Sequence, residues 1–208
     1  MNYFDINIAR SMGGGGSDTR WREIGYDGEP PYIQEGIEYA KKVSSEYTNS
    51  KTYITDLKLV FFPMVDTSER DNTIYMFDRC PHLLTIPLLD LSAVTDSSDM
   101  FASCFSLRSV PQFDTSAVED MSGMFISCKS LTDVPVLDTS SVTTMRNAFS
   151  NCDSLSNDSL NNILAMCANA TNYTATKTLT DIGFNNTQRL IATTLSNYAD
   201  FTAAGWSA

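Results

Sequence analysis

Residues 76–99, 100–123 and 124–147 read MFDRCPHLLTIPLLDLSAVTDSSD, MFASCFSLRSVPQFDTSAVEDMSG and MFISCKSLTDVPVLDTSSVTTMRN, three successive 24-residue lines that align without a gap. Phe77, Phe101, Phe125 and Phe149 mark the step, and Cys80, Cys104, Cys128 and Cys152 keep it. Leu83, Leu107, Leu131 and Leu155 follow in phase, then Ile86, Val110 and Val134, then Pro87, Pro111 and Pro135. Asp90, Asp114 and Asp138 lead Ser92, Ser116 and Ser140, with Val94, Val118 and Val142 behind them and Met121 and Met145 closing the later lines. Self-similarity at one fixed period is the signature of an array of stacked units, none of which can bury its apolar face alone. One step earlier lies a weaker line, with Tyr53, Leu59, Phe62, Pro63, Asp66, Thr67 and Ser68 in the matching columns, so the array runs from about residue 53 to 155.

The two halves of a unit have different periodicities. Val118, Met121, Met124, Phe125 and Cys128 fall at helical spacing and make one apolar stripe, which predicts a short helix. Ser116 ahead of the stripe and Glu119 three residues later read as a capping box, and Ser92 and Ser140 as hydroxyl caps of equivalent helices. Leu107 to Val110 has strand character, ended by Pro111, which cannot donate to a ladder. The expectation is an α/β repeat: a leucine-rich-repeat solenoid of strand-plus-short-helix units, with a parallel sheet on one side and helical caps at both ends.

The phrases D-T-S-x-V-x-x-M and M-F-x-x-C-x-x-L resemble the BspA-like leucine-rich repeats of bacterial surface proteins and bacteriophage proteins, over about half the chain. The opening MNYFDINIAR, the glycine run, the segment Trp21 to Tyr26, and the tail from Ser159 to Leu164 through Ala203 to Trp206 resemble proteins of phages and prophages of gut bacteria. That resemblance implies a non-enzymatic virion structural or appendage protein, assembled in the bacterial cytoplasm, whose repeat face meets a protein or a glycan. It also implies a homo-oligomer or a place in a larger assembly.

The flanks divide the remainder. Residues 1–18 are a peptide and glycine-rich joint, in which Asn2, Tyr3, Phe4, Ile6 and Ile8 are candidates for docking onto other virion proteins. A disordered terminus is the plainer reading of the same residues. Residues 19–52 are expected to form a helical cap, begun at Pro30 and Pro31, with Ile33, Ile37, Ala40 and Tyr47 on one face. Residues 53–155 are the repeats and 156–208 the second cap: a helix through Leu160, Ile163, Leu164 and Cys167, strand-like residues 178–182, a second helix carrying Leu190, Ile191, Leu195 and Tyr198, and Trp206 plugging the core.

A formal charge of -11 rules out counterion release from a phosphate backbone as a driving force, so nucleic acid is not an expected partner. Met1 to Gly16 holds Asp5 and no apolar run, and the apolar stretch Leu59 to Val65 is broken by Pro63; neither a secretion signal nor a membrane span is expected. Five cysteines without such a signal argue for buried thiols over a disulfide framework. Successive column cysteines lie one unit apart with no His beside them, which is wrong for zinc. The Asp column, beginning with Asp66, invites a calcium ladder, yet calcium needs several more oxygens per ion and Asp-Thr-Ser is ordinary turn chemistry. His82 shares its column with Ser106, Ser130 and Ser154 and has no triad partners. The run Gly13 to Gly16 lacks the Lys-Ser or Lys-Thr of a phosphate loop. No catalytic residue, metal or cofactor is therefore expected.

Binding should use columns where the units differ: Leu84, Arg108 and Thr132; Thr85, Ser109 and Asp133; Leu88, Gln112 and Val136. Thr85, Arg108, Ser109, Gln112, Thr132 and Asp133 are the candidate surface. A tolerant solvated face would vary in the same way. The rival functional readings are a BspA-type adhesin on a bacterial cell surface, which needs export and anchoring, and an intracellular interaction module with a cytosolic partner.

Overall fold

The computed structural model describes residues 67–68 and 70–208. The expected docking peptide, the amino-terminal cap helix and nearly all of the weaker first line lie outside the described residues.

The large apolar columns face inward, where each fully buried Phe or Leu contributes about 1.5–3 kcal/mol. Phe77, Phe101, Phe125 and Phe149 are at most 1% exposed. Their rings stack in sequence at 5.3, 5.6 and 5.6 Å, inclined by 2°, 4° and 19°. Each column thiol then reaches back one coil: Cys104, Cys128 and Cys152 donate to the carbonyls of Phe77, Phe101 and Phe125 at 3.1, 3.1 and 3.0 Å. All five cysteines are buried and none is in a disulfide.

Backbone pairing holds one coil on the next, and it does so through alternate residues. Thr73, Tyr75, Phe77 and Arg79 donate to the carbonyls of Asp96, Ser98, Met100 and Ala102 in the following coil. Ser97, Asp99, Phe101 and Ser103 repeat the pattern onto Asp120, Ser122, Met124 and Ile126, and Met121, Gly123, Phe125 and Ser127 onto Thr144, Arg146, Ala148 and Ser150. The N–H groups between them close local turns, as Met124 does to Met121 and Cys128 to Phe125, so this stretch of backbone leaves few orphaned donors.

That alternation replaces the expected short helix. Val118, Met121, Met124, Phe125 and Cys128 are buried together, but the chain between them is a run of turns. Two columns carry positive φ: Tyr75, Asp99, Gly123 and Asn147 at 53–62°, then Arg79, Ser103, Ser127 and Asn151 at 59–63°. A left-handed residue ends helical continuation after one turn, and each coil has two of them four residues apart. The strand expectation fails in a similar way. Ser109 and Asp133 form an isolated parallel bridge, as do Asn72 with Asp96, Asp96 with Asp120 and Asp120 with Thr144, without longer ladders among the described residues.

The Asp-Thr-Ser column starts no helix either. The Asp114 carboxylate accepts from the Ser116 amide at 3.1 Å and its hydroxyl at 2.7 Å; Asp90 does the same for Ser92 at 3.0 and 2.6 Å, and Asp138 accepts the Ser140 amide at 2.9 Å. These are Asx turns. The Glu119 amide, expected to be capped by Ser116, donates to the Thr95 carbonyl at 2.8 Å. The Thr of the triplet points inward and ties coils: Thr67, Thr115 and Thr139 donate to the carbonyls of Asp90, Asp138 and Met166 at 2.8, 2.9 and 2.5 Å.

The described helices all follow Ser156. Helix α1 (Asn157–Asn169) starts where the Ser156 side chain accepts from the Ser159 amide, and it buries Leu160, Ile163, Leu164 and Cys167, as their spacing predicts. It also finishes the exposed backbone of the last coil. The Ser159 hydroxyl donates to the Thr132 carbonyl and accepts from the Val134 amide, both at 2.8 Å, and Asn162 donates to the Val134 carbonyl at 2.9 Å. Residues 178–182 form one bridge, Thr178 with Ser207, and then turns. Their carbonyls at Asp181 and Ile182 take the Asn147 and Phe149 amides, standing in for a further coil. The single helix expected around Leu190 to Tyr198 is two, α2 (Asn186–Ala192), opened by an Asn185–Gln188 capping box, and α3 (Tyr198–Ala203). Trp206 is buried beside Tyr173 and Phe201, with ring centroids at 4.6 and 5.8 Å.

Candidate binding surface

The six candidate residues fall on adjoining parts of three coils. The Arg108 amide donates to the Leu84 carbonyl, and the Arg108 carbonyl accepts from Thr132 and Asp133, so columns 84, 108 and 132 run across the stack in register. Ser109 and Asp133 are bridged. Thr85, Arg108, Gln112 and Asp133 are exposed, and Ser109 and Thr132 are half-buried. Three of the polar side chains are already engaged: Gln112 donates to the Val136 carbonyl at 2.6 Å, and the Thr132 hydroxyl reaches the Arg108 carbonyl at 3.1 Å and the Asp133 carboxylate at 2.6 Å. These bonds stiffen the ribbon. Leu88 and Val136, at either end of the Gln112 column, add apolar exposure of 42% and 39%. The result is an open, shallow, mixed surface, the shape on which an extended partner would lie.

Sequence variation missed the neighbouring corner. Phe105, 43% exposed, stands outside the core beneath the Lys129 ammonium, 5.6 Å from its ring centroid. The signal was present in its column, since Pro81, Phe105, Lys129 and Asp153 share no side-chain property, but an aromatic in a repeat reads as core.

Electrostatically, the Asp column belongs to turns. The Ser116 hydroxyl and amide hold the Asp114 carboxyl below the ordinary carboxylate value, and the Ser140 amide and hydroxyl do so for Asp138. Burial pushes the thiols the other way: in the column Cys152 is raised to about 12 and Cys104 and Cys128 are also raised, as is Cys167 on α1. Such thiols are poor nucleophiles and poor ligands. Among the described residues no three His, Cys, Asp or Glu side chains gather where they could hold a metal ion, and no helix is long and apolar enough to cross a membrane.

Stacked coils with one continuous core define a tandem-repeat protein. The chain belongs to the family described as "Mycoplasma protein of unknown function, DUF285", whose model matches residues 71–186. No curated protein and no solved structure matches it.

Proposed function

We propose that this chain is a BspA-like leucine-rich-repeat solenoid of the kind carried by phages and prophages, and that it serves as a non-enzymatic virion or appendage component presenting its repeat face to a protein or glycan. The observation that carries the binding part is the ribbon of Thr85, Arg108, Gln112 and Asp133, exposed and joined in register by the backbone beneath. A rigid array of side chains at fixed coil spacing loses little conformational freedom on engaging a partner. The virion part rests on the resemblance of the repeat phrases and the flanking segments. In this reading the amino-terminal peptide joins the protein to the rest of the particle.

Mass spectrometry of density-purified particles from the source strain tests the assignment. Peptides of this chain should persist through the gradient at fixed copy number relative to the major particle protein. Their absence from particles, together with a stoichiometric complex in host cytosol, would replace the virion reading with that of an intracellular interaction module.

A further inference from the structure

Charge in the stacked coils is segregated in a way that no single unit reveals. Between residues 71 and 142 the cationic or titratable basic side chains are Arg79, His82, Arg108 and Lys129, and all four fall within one stretch of the unit, residues 79–84 and their equivalents 103–108 and 127–132. No acid occurs in those three stretches, and the next one, 151–156, holds Asp153 in the column of Phe105 and Lys129; Asp71, Asp78, Asp90, Asp96, Asp99, Asp114, Glu119, Asp120, Asp133 and Asp138 occupy the remainder of the coils. The stretches are stacked edge to edge, since the Pro81 carbonyl accepts from Ser106 and the Phe105 carbonyl from Ser130. His82 thus sits one coil before Phe105, Lys129 one coil after it, and Arg108 three residues along the same coil. Each bordering acid has a partner: Asp78 lies 3.5 Å from Arg79, the Asp133 carboxylate takes the Thr132 hydroxyl, and the Asp153 carboxylate, one coil beyond Lys129, takes the Asn185 side-chain amide at 3.2 Å. Arg108 and Lys129 are exposed and enter no ion pair among the described residues.

We propose that this corner binds a carboxylate-bearing glycan, with a sugar ring laid against Phe105 and its carboxylate paired to Lys129 and Arg108. The inference rests on the binding-face reading and names its ligand class. Three features select that class. An exposed aromatic flanked by cations offers an apolar face for sugar C–H groups beside charge-assisted donors for a carboxylate. Half-buried hydroxyls at Ser103, Ser106, Ser127 and Ser130 lie in the same stretch of the two coils and can exchange hydrogen bonds with sugar hydroxyls. The acids over the rest of the coils and at the borders of the corner repel a densely charged polymer such as nucleic acid, and tolerate a ligand with one charge per sugar.

The test is calorimetric titration of the full chain with trigalacturonic acid and with its uncharged methyl ester. The acid should bind and the ester should bind at least about tenfold more weakly. Phe105→Ala and Lys129→Gln should each cost about tenfold with unchanged melting temperature, while Glu119→Gln, on the acidic side, should leave affinity unaltered. Equal binding of acid and ester, no binding of either, or binding indifferent to Phe105→Ala would overturn the proposal, the last by reducing it to attraction of any anion. Salt-sensitive self-association lost in Arg108→Gln would also overturn it, by placing a second copy on the corner. The binding-face reading fails separately, when particles whose chain carries Gln112→Ala and Asp133→Ala adsorb to host cells as the parent does.

Discussion

At Gly123 the backbone takes φ +62°, and a Cβ there would come within 2.2 Å of the Asp99 carboxylate. Tyr75, Asp99 and Asn147 hold the same conformation in their coils with side chains attached, so left-handed backbone alone is tolerated at this column. The close approach adds a second cost at Gly123. Gly123→Ala should lower stability by about 1–3 kcal/mol in urea unfolding, and adding Asp99→Ala should recover part of that loss. Thr115→Val should cost about 1 kcal/mol by the same measurement, because the Asp138 carbonyl loses its hydroxyl partner. The inward columns were legible in the sequence because a large apolar residue recurs in each. The left-handed columns were not: Gly123 and the two Asn residues hint at them, but Tyr75 and Arg79 are poor left-handed formers held there by the bonds between coils.

Among the elements, α1 was readable and the repeat's own turns were misread. Val118, Met121, Met124, Phe125 and Cys128 satisfy helical spacing, and periodicity registers which side chains share a face without registering where each N–H points. In the turns, alternate donors leave the coil for its neighbour, which a sequence pattern cannot express. Helix α1 differs because its inward face and its Ser156 cap agree. It carries a second task that no spacing announced, which is to complete the backbone of Thr132 and Val134. Ser159→Ala removes both of its bonds to that coil and should cost about 1–3 kcal/mol. Hydrogen exchange locates the effect: the Val134 amide should exchange faster than in the parent, while the Phe101 amide, paired with Met124 deep in the stack, should not. The exposure of Arg108, Gln112 and Asp133 was legible in column variability, whereas the Phe105 corner required the coils to be stacked before its charges could be seen as neighbours.

For the molecule as a whole, the core is shared between coils and should fail cooperatively. Val118 is fully buried, and Val118→Asp places an unpaired charge among side chains of adjoining coils at a cost of about 3–5 kcal/mol. Exchange protection should vanish in at least two coils together; loss confined to residues 118–121 would contradict a shared core. Alkali should act on the same interior. Buried thiols have native pKa values above the ordinary value of 9.0, Cys152 at about 12, so the unfolded chain releases these protons first. Stability should be fully present below about pH 9 and decline as pH rises toward 12, and Cys128→Ala should flatten that decline. Finally, the contacts between coils join residues 23, 24, 25 or 27 positions apart, so the chain keeps time like a printed rhythm. Deleting a single residue within a coil throws every later column out of step. Removing residues 100–123 as a block instead brings Phe77 against Phe125 and the Cys128 thiol against the Phe77 carbonyl, restoring each beat. The reach of the molecule can therefore be lengthened or shortened in whole measures with both ends left as they were, which makes the coil, and not the residue, its natural unit of inherited change.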